Sequence, residues 1–121
     1  MQVLLPENVA RHNGTGAEIA LESACGKLLL LTLDVTRIVE QESLEVSVWG
    51  SPNKSSREML GIFPKKDYCG TYTLPLDLTE HLEIGFLRAE WKLSRWGAGE
   101  PMPLVEFSLA IDEAKLHAVG A

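Results

Sequence analysis

The sequence predicts an all-β domain, an antiparallel β-sandwich of about eight strands with jelly-roll-like connectivity. Two observations predict it. Apolar residues recur at every second position through most of the chain, the period of a strand with one buried face. Clusters of turn formers interrupt these segments at regular intervals, as in sandwiches and barrels. No segment competes as a helix of ordinary length: 38–44 is too short, and 112–119 has room for one or two helical turns.

Two weaker strands are expected at 2–5 and 18–21, with His12-Asn13-Gly14-Thr15-Gly16 as the turn between them. Leu29, Leu31, Leu33 and Val35 then alternate with Leu30, Thr32, Asp34 and Thr36. The polar stretch Glu40-Gln41-Glu42-Ser43 is short enough for a hairpin-type connection to a strand in which Leu44, Val46 and Val48 alternate with Glu45, Ser47 and Trp49. A loop is expected from Trp49-Gly50-Ser51-Pro52 through Ser56, and a third strand at 58–63. Pro64 should stop that strand, because proline lacks the N–H that a ladder needs.

Lys65-Lys66-Asp67 reads as a charged turn. Tyr72, Leu74 and Leu76 form the next apolar face, and Pro75 among them places this strand at a sheet edge. The regular alternation of Leu87, Ala89, Trp91 and Leu93 with Arg88, Glu90, Lys92 and Ser94 is followed by the turn cluster Gly97-Ala98-Gly99-Glu100-Pro101-Met102-Pro103. Val105, Phe107, Leu109 and Ile111 complete the pattern. The expected core contains Leu31, Leu33, Val46, Val48, Leu87, Trp91, Phe107 and Leu109.

The chain has 121 residues, one domain's worth, of which 45% are hydrophobic and 23% charged. That composition can bury a core and excludes a disordered polar chain. The longest apolar run, Leu28-Leu29-Leu30-Leu31, is far too short to span a bilayer, and the opening residues lack the basic start and long apolar stretch of a secretory signal. A net charge of −6 argues against nucleic acid as a partner, since phosphate neutralisation needs clustered Lys and Arg. A cytoplasmic protein with no membrane segment is the expectation. Cys25 and Cys69 fit no zinc spacing and read as two reduced, buried thiols, with a single disulfide as the alternative.

Catalysis is not expected. His12, His81 and His117 lie in three regions without a His or Cys at ligand spacing, so they read as surface or turn histidines, and no metal or cofactor is expected. Gly14-Thr15-Gly16 lacks the rest of a phosphate loop and reads as a flexible turn. Cys25-Gly26 has no nearby His to lower a thiol pKa. Glu40 and Glu42 flank one turn and Glu80 and Glu83 flank His81, which suits solvated acidic turns.

The aromatic residues and leucines carry more. Trp49 falls on the polar face of its strand, and Trp96 at a strand end, positions from which indoles cover a sandwich rim, stack on a sugar ring or anchor a protein. Arg88 and Arg95 flank Trp91 and can cover an aromatic face or pair with Glu90. Leu28 and Leu30 put leucine on the second face of the Leu29–Leu31 strand, so this strand should be covered on both sides, by the chain itself or by another subunit.

Leu33-Asp34-Val35-Thr36, then Ser43-Leu44-Glu45-Val46-Ser47-Val48-Trp49-Gly50-Ser51, then Phe86-Leu87-Arg88-Ala89-Glu90-Trp91-Lys92-Leu93, then Val105-Glu106-Phe107-Ser108-Leu109 resembles small β-sandwich proteins encoded among phage and prophage structural genes. The similarity covers roughly residues 27–111; Phe86 stands where that group has tyrosine, and the 65–72 segment has no counterpart. The resemblance implies a virion-associated or host-domesticated interaction module without catalytic residues, and its shared positions are core positions.

Taken together, these readings give a non-catalytic structural or assembly module that binds protein, with a homo-oligomer as the leading expectation and Leu28, Leu30 and Trp49 as its interaction surface. The alternative is a carbohydrate-binding module using Trp49, Trp96 and Tyr72.

Overall fold

A computed structural model describes residues 2–21, 26–38, 42–52, 57–66, 68–95 and 104–113. Within them the chain forms nine strands and no helix. The strands are β1 (Gln2–Ala10), β2 (Gly14–Thr15), β3 (Ile19–Ala20), β4 (Leu28–Ile38), β5 (Glu42–Ser51), β6 (Glu58–Lys66), β7 (Gly70–Asp77), β8 (Phe86–Arg95) and β9 (Val105–Glu113). They make two antiparallel sheets packed face to face. The first has the order β1-β9-β4-β7, the second β2-β8-β5-β6, with β3 also pairing β8. Most sheet neighbours are therefore remote in sequence, an order compatible with jelly-roll wiring.

The alternation seen in the sequence becomes the inside and outside of this sandwich. Leu29, Leu31, Leu33 and Val35 of β4 bury completely against Val46 and Val48 of β5, Leu87 and Ala89 of β8, and Phe107 and Leu109 of β9. Burying a leucine or phenylalanine side chain contributes about 1.5–3 kcal/mol. Trp91 departs from expectation: it is half-buried and closes the core from its margin, its ring set edge-on to Phe107 with centroids 5.6 Å apart. Its indole N–H donates to the carbonyl of His12 at 3.0 Å, which explains the position, since a fully interior indole would lose that acceptor.

Pro75 does lie on an edge strand, β7, where only one side needs N–H donors. Pro64, in contrast, does not end its strand, because β6 runs through it to Lys66. β6 is also an edge strand, and the ladder to β5 slips between Val46↔Phe63 and Leu44↔Lys66, so the proline sits in a bulge where its missing N–H costs no ladder bond. Lys65 and Lys66 accordingly belong to a strand and not to a turn.

Three other segments expected as turns are paired. Gly14 and Thr15 bond to β8 opposite Trp91 and Glu90. Trp49, Gly50 and Ser51 continue β5 against Arg88, Leu87 and Phe86. Glu42 and Ser43 start β5 opposite Arg95 and Ser94 and are buried, because β8 is long enough to cover them. The Ser43 hydroxyl lies 2.8 Å from the Ser94 hydroxyl and 3.1 Å from the Ser94 carbonyl, which satisfies its polar atom. Asp112 belongs to β9, so a helical turn does not begin there.

Candidate functional site

Inward-facing Leu29 and Leu31 leave Leu28 and Leu30 on the outer face of β4, where both are half-buried. The register places Leu30 between Asp112 of β9 and Pro75 of β7, and Leu28 beside Asp77. One row further along, Thr32 lies between Ala110 and Thr73, and Ala110 continues the row to Val3 of β1, which is 52% exposed. The centre of this outer face thus carries no charged side chain. Asp34, Asp77 and Asp112 lie around it.

Trp49 is on the other side of the molecule. Val46 and Val48 point inward, so Trp49 and Ser47 face outward from the second sheet, with the indole N–H donating to the Ser47 hydroxyl at 2.9 Å. Its cross-strand neighbours are Met59, 49% exposed, and Arg88, which pairs with Glu90 at 2.9 Å as its spacing suggested. Leu28 and Leu30 therefore share no surface with Trp49: the structure divides the three residues between two faces. Tyr72 faces inward from β7 and packs on the core margin, its hydroxyl donating to the Tyr68 carbonyl at 2.7 Å and Lys66 Nζ 4.4 Å above its ring. Trp49 and Tyr72 form no common platform. Trp96 lies outside the described residues.

Cys69 is a free, exposed thiol and not a buried one; Cys25 lies outside the described residues, as does His117. His12 is exposed. Gly14 of the Gly14-Thr15-Gly16 segment has a packing reason: a Cβ there would lie 2.5 Å from the Trp91 ring.

The one gathering of potential ligands among the described residues joins β6 to the connection between β7 and β8. One donor atom each from Glu58, His81 and Glu83 lies within 4.8 Å of the others, and His81 Nδ1 is 3.6 Å from Glu83 Oε2. The connection is held by backbone bonds from His81 N–H to Leu78 O, Ile84 N–H to His81 O and Gly85 N–H to Ser51 O. Asp77 anchors its start, accepting from the Thr79 hydroxyl and backbone N–H, and these bonds hold its carboxyl below the ordinary 3.8. A cleft of about 230 Å³ adjoins the cluster, lined by Gly50, Pro52, Arg57, Glu58, Glu83 and Ile84. The His81 to Glu83 spacing is visible in the sequence. Glu58 is not, because only the pairing of β6 with β5 opposite Gly50 brings it there.

A second acidic contact lies on the β1 side, where Glu106 bonds to and repels Glu7, and Asp34 adds to the repulsion, raising the Glu7 carboxyl above its ordinary 4.5. No helix among the described residues is long and apolar enough to cross a membrane. No protein-family model, curated protein or solved structure matches this chain.

Proposed function

We propose that this chain is a non-catalytic assembly module of the cytoplasm whose partner is a second copy of itself, joined through the outer face of the β1-β9-β4-β7 sheet. The observation that carries the reading is the uncharged centre of that face, where Leu28, Leu30 and Pro75 adjoin the row Val3, Ala110, Thr32 and Thr73. A chain of net charge −6 repels its own copies, and two copies meet at lower electrostatic cost over this patch, where Asp34, Asp77 and Asp112 border the contact, than over the more heavily charged surface. A two-fold contact uses the same patch on both copies, and Leu28, Leu30, Pro75, Ala110, Thr32 and Thr73 offer uncharged side chains for it. The strand-pattern resemblance to phage and prophage β-sandwich proteins, a reading of the sequence alone, points toward the same role.

Light scattering across a concentration series tests the proposal. A defined dimer that persists on dilution is expected, and Thr32→Lys with Thr73→Lys should dissociate it while circular dichroism stays unchanged. Leu28→Ser with Leu30→Ser should do the same. A monomer at every concentration, or a dimer indifferent to the two lysines, would overturn the reading.

A further inference from the structure

The Glu58, His81 and Glu83 cluster is independent of the sheet face proposed for assembly. We infer that these three side chains bind a divalent transition-metal cation of the zinc class. The donor set favours that class, since imidazole suits zinc-like cations, whereas calcium and magnesium prefer all-oxygen cages with more ligands. Tetrahedral zinc with bonds near 2.0–2.1 Å sets its ligand atoms about 3.3–3.5 Å apart. His81 Nδ1 and Glu83 Oε2 are already 3.6 Å apart, and all three donor atoms fall within 4.8 Å. The remaining closure is a matter of side-chain rotation, which Glu58 and Glu83 are free to make because both are exposed.

The surroundings supply two further arguments. Neither Glu58 nor Glu83 has a Lys or Arg partner among the described residues, and Arg57, the cation beside them, is drawn to Glu18, with Nε 3.3 Å from its carboxylate. Among the described residues, two carboxylates and an imidazole are thus gathered with no Lys or Arg paired to them, and Arg57, which lines the same cleft, is paired to Glu18. The cleft of about 230 Å³ opens beside both glutamates, leaving room for the water or exogenous ligand that a three-ligand site needs in its fourth position. The backbone carrying the ligands is set in advance, by the turns at 78–81 and 81–84 and by the Gly85–Ser51 bond. A bound cation would tie that connection to the start of β6.

Calorimetric titration of the full chain with zinc chloride tests this, with calcium and magnesium chloride as controls. One saturable zinc site per chain is expected, unchanged in Cys69→Ser, with calcium and magnesium at least tenfold weaker. His81→Ala and the isosteric pair Glu58→Gln with Glu83→Gln should each weaken zinc binding at least tenfold while circular dichroism stays unchanged. The inference is overturned if wild type gives no saturable heat. It is also overturned if zinc binds the His81 and Glu58/Glu83 variants as tightly as wild type, or loses its site in Cys69→Ser, which would place the cation on a thiol.

Discussion

Two stretches flanking the same strand, β8, are finished in opposite ways. Around Trp91 the chain closes by packing: the ring lies edge-on to Phe107, its N–H reaches the His12 carbonyl, and Gly14 crosses its face at a distance that excludes any side chain. The Asn13 side chain caps the Leu93 N–H at 2.8 Å beside it. Before β8 begins, the connection carrying His81 and Glu83 is held by backbone bonds, by the Asp77–Thr79 bonds and by burial of Leu78 and Ile84, while the His81 and Glu83 side chains stay toward solvent. The first region spends its side chains on the fold. The second is held by Leu78, Ile84 and the Asp77–Thr79 bonds, so the side chains of His81 and Glu83 remain available for a ligand. Binding residues concentrate on such connections for this reason: a rigid scaffold positions them while their side chains carry little of the packing.

The largest expected effect breaks the packed region. Trp91→Ala removes the aromatic contact and the His12 bond together and should cost about 3 kcal/mol. Gly14→Ala forces a methyl into the ring and should cost about 1–3 kcal/mol. Urea denaturation of each variant checks both values, and near-neutral results would mean that this margin packs loosely.

A smaller effect tests how far the contrast extends. Gly50 lines the cleft, but it also faces inward, where a Cβ would lie 2.4 Å from Leu60 Cδ1 and 2.9 Å from Ile84 Cγ2. Leu60 Cδ1 is a side-chain end that can give way, whereas Ile84 Cγ2 belongs to a buried β-branched residue and yields less; Gly50→Ala should cost about 1–2 kcal/mol, less than Trp91→Ala. Equal losses in urea would show that the cleft floor is as tightly packed as the Trp91 margin.

The smallest effects come from two exposed carboxyls and have opposite signs. Asp77 is lowered by its bonds to Thr79, so its contribution is present above the unfolded value near 3.8 and is lost as pH falls below it. Glu7 is raised by Glu106, so the native state binds its proton more readily than the unfolded chain. Its penalty is greatest above the raised value and is relieved as pH falls toward 4.5. Asp77→Asn should therefore destabilise at pH 7 and converge on wild type in strong acid. Glu7→Gln should stabilise at pH 7 and lose that advantage toward pH 4. Thermal melts across this range check both slopes.

Much of the fold was legible because alternation is a local property. Leu29, Leu31, Leu33 and Val35, or Val105, Phe107, Leu109 and Ile111, declare their buried face whatever they pair with. Pro75 could be placed at an edge because a missing N–H has one consequence in a ladder. Pro64 has the same chemistry yet lies within β6, since a bulge in an edge strand depends on the partner's register and leaves no mark at the proline. The segments 14–15 and 42–43 look like turns for a similar reason, as glycine and polar residues are ordinary turn formers until a long neighbour such as β8 pairs with them.

The sequence by itself determined the strand class, most strand centres and which residues of β4, β5, β7, β8 and β9 point inward, because those depend on a period of two within one segment. Only the tertiary structure decided that Leu28 and Leu30 face away from Trp49, and that Glu58 stands beside His81 and Glu83. Both depend on which strands share a sheet and in what register. That choice is made between segments far apart in the chain, by the joint burial of two sheets, and no single segment encodes it.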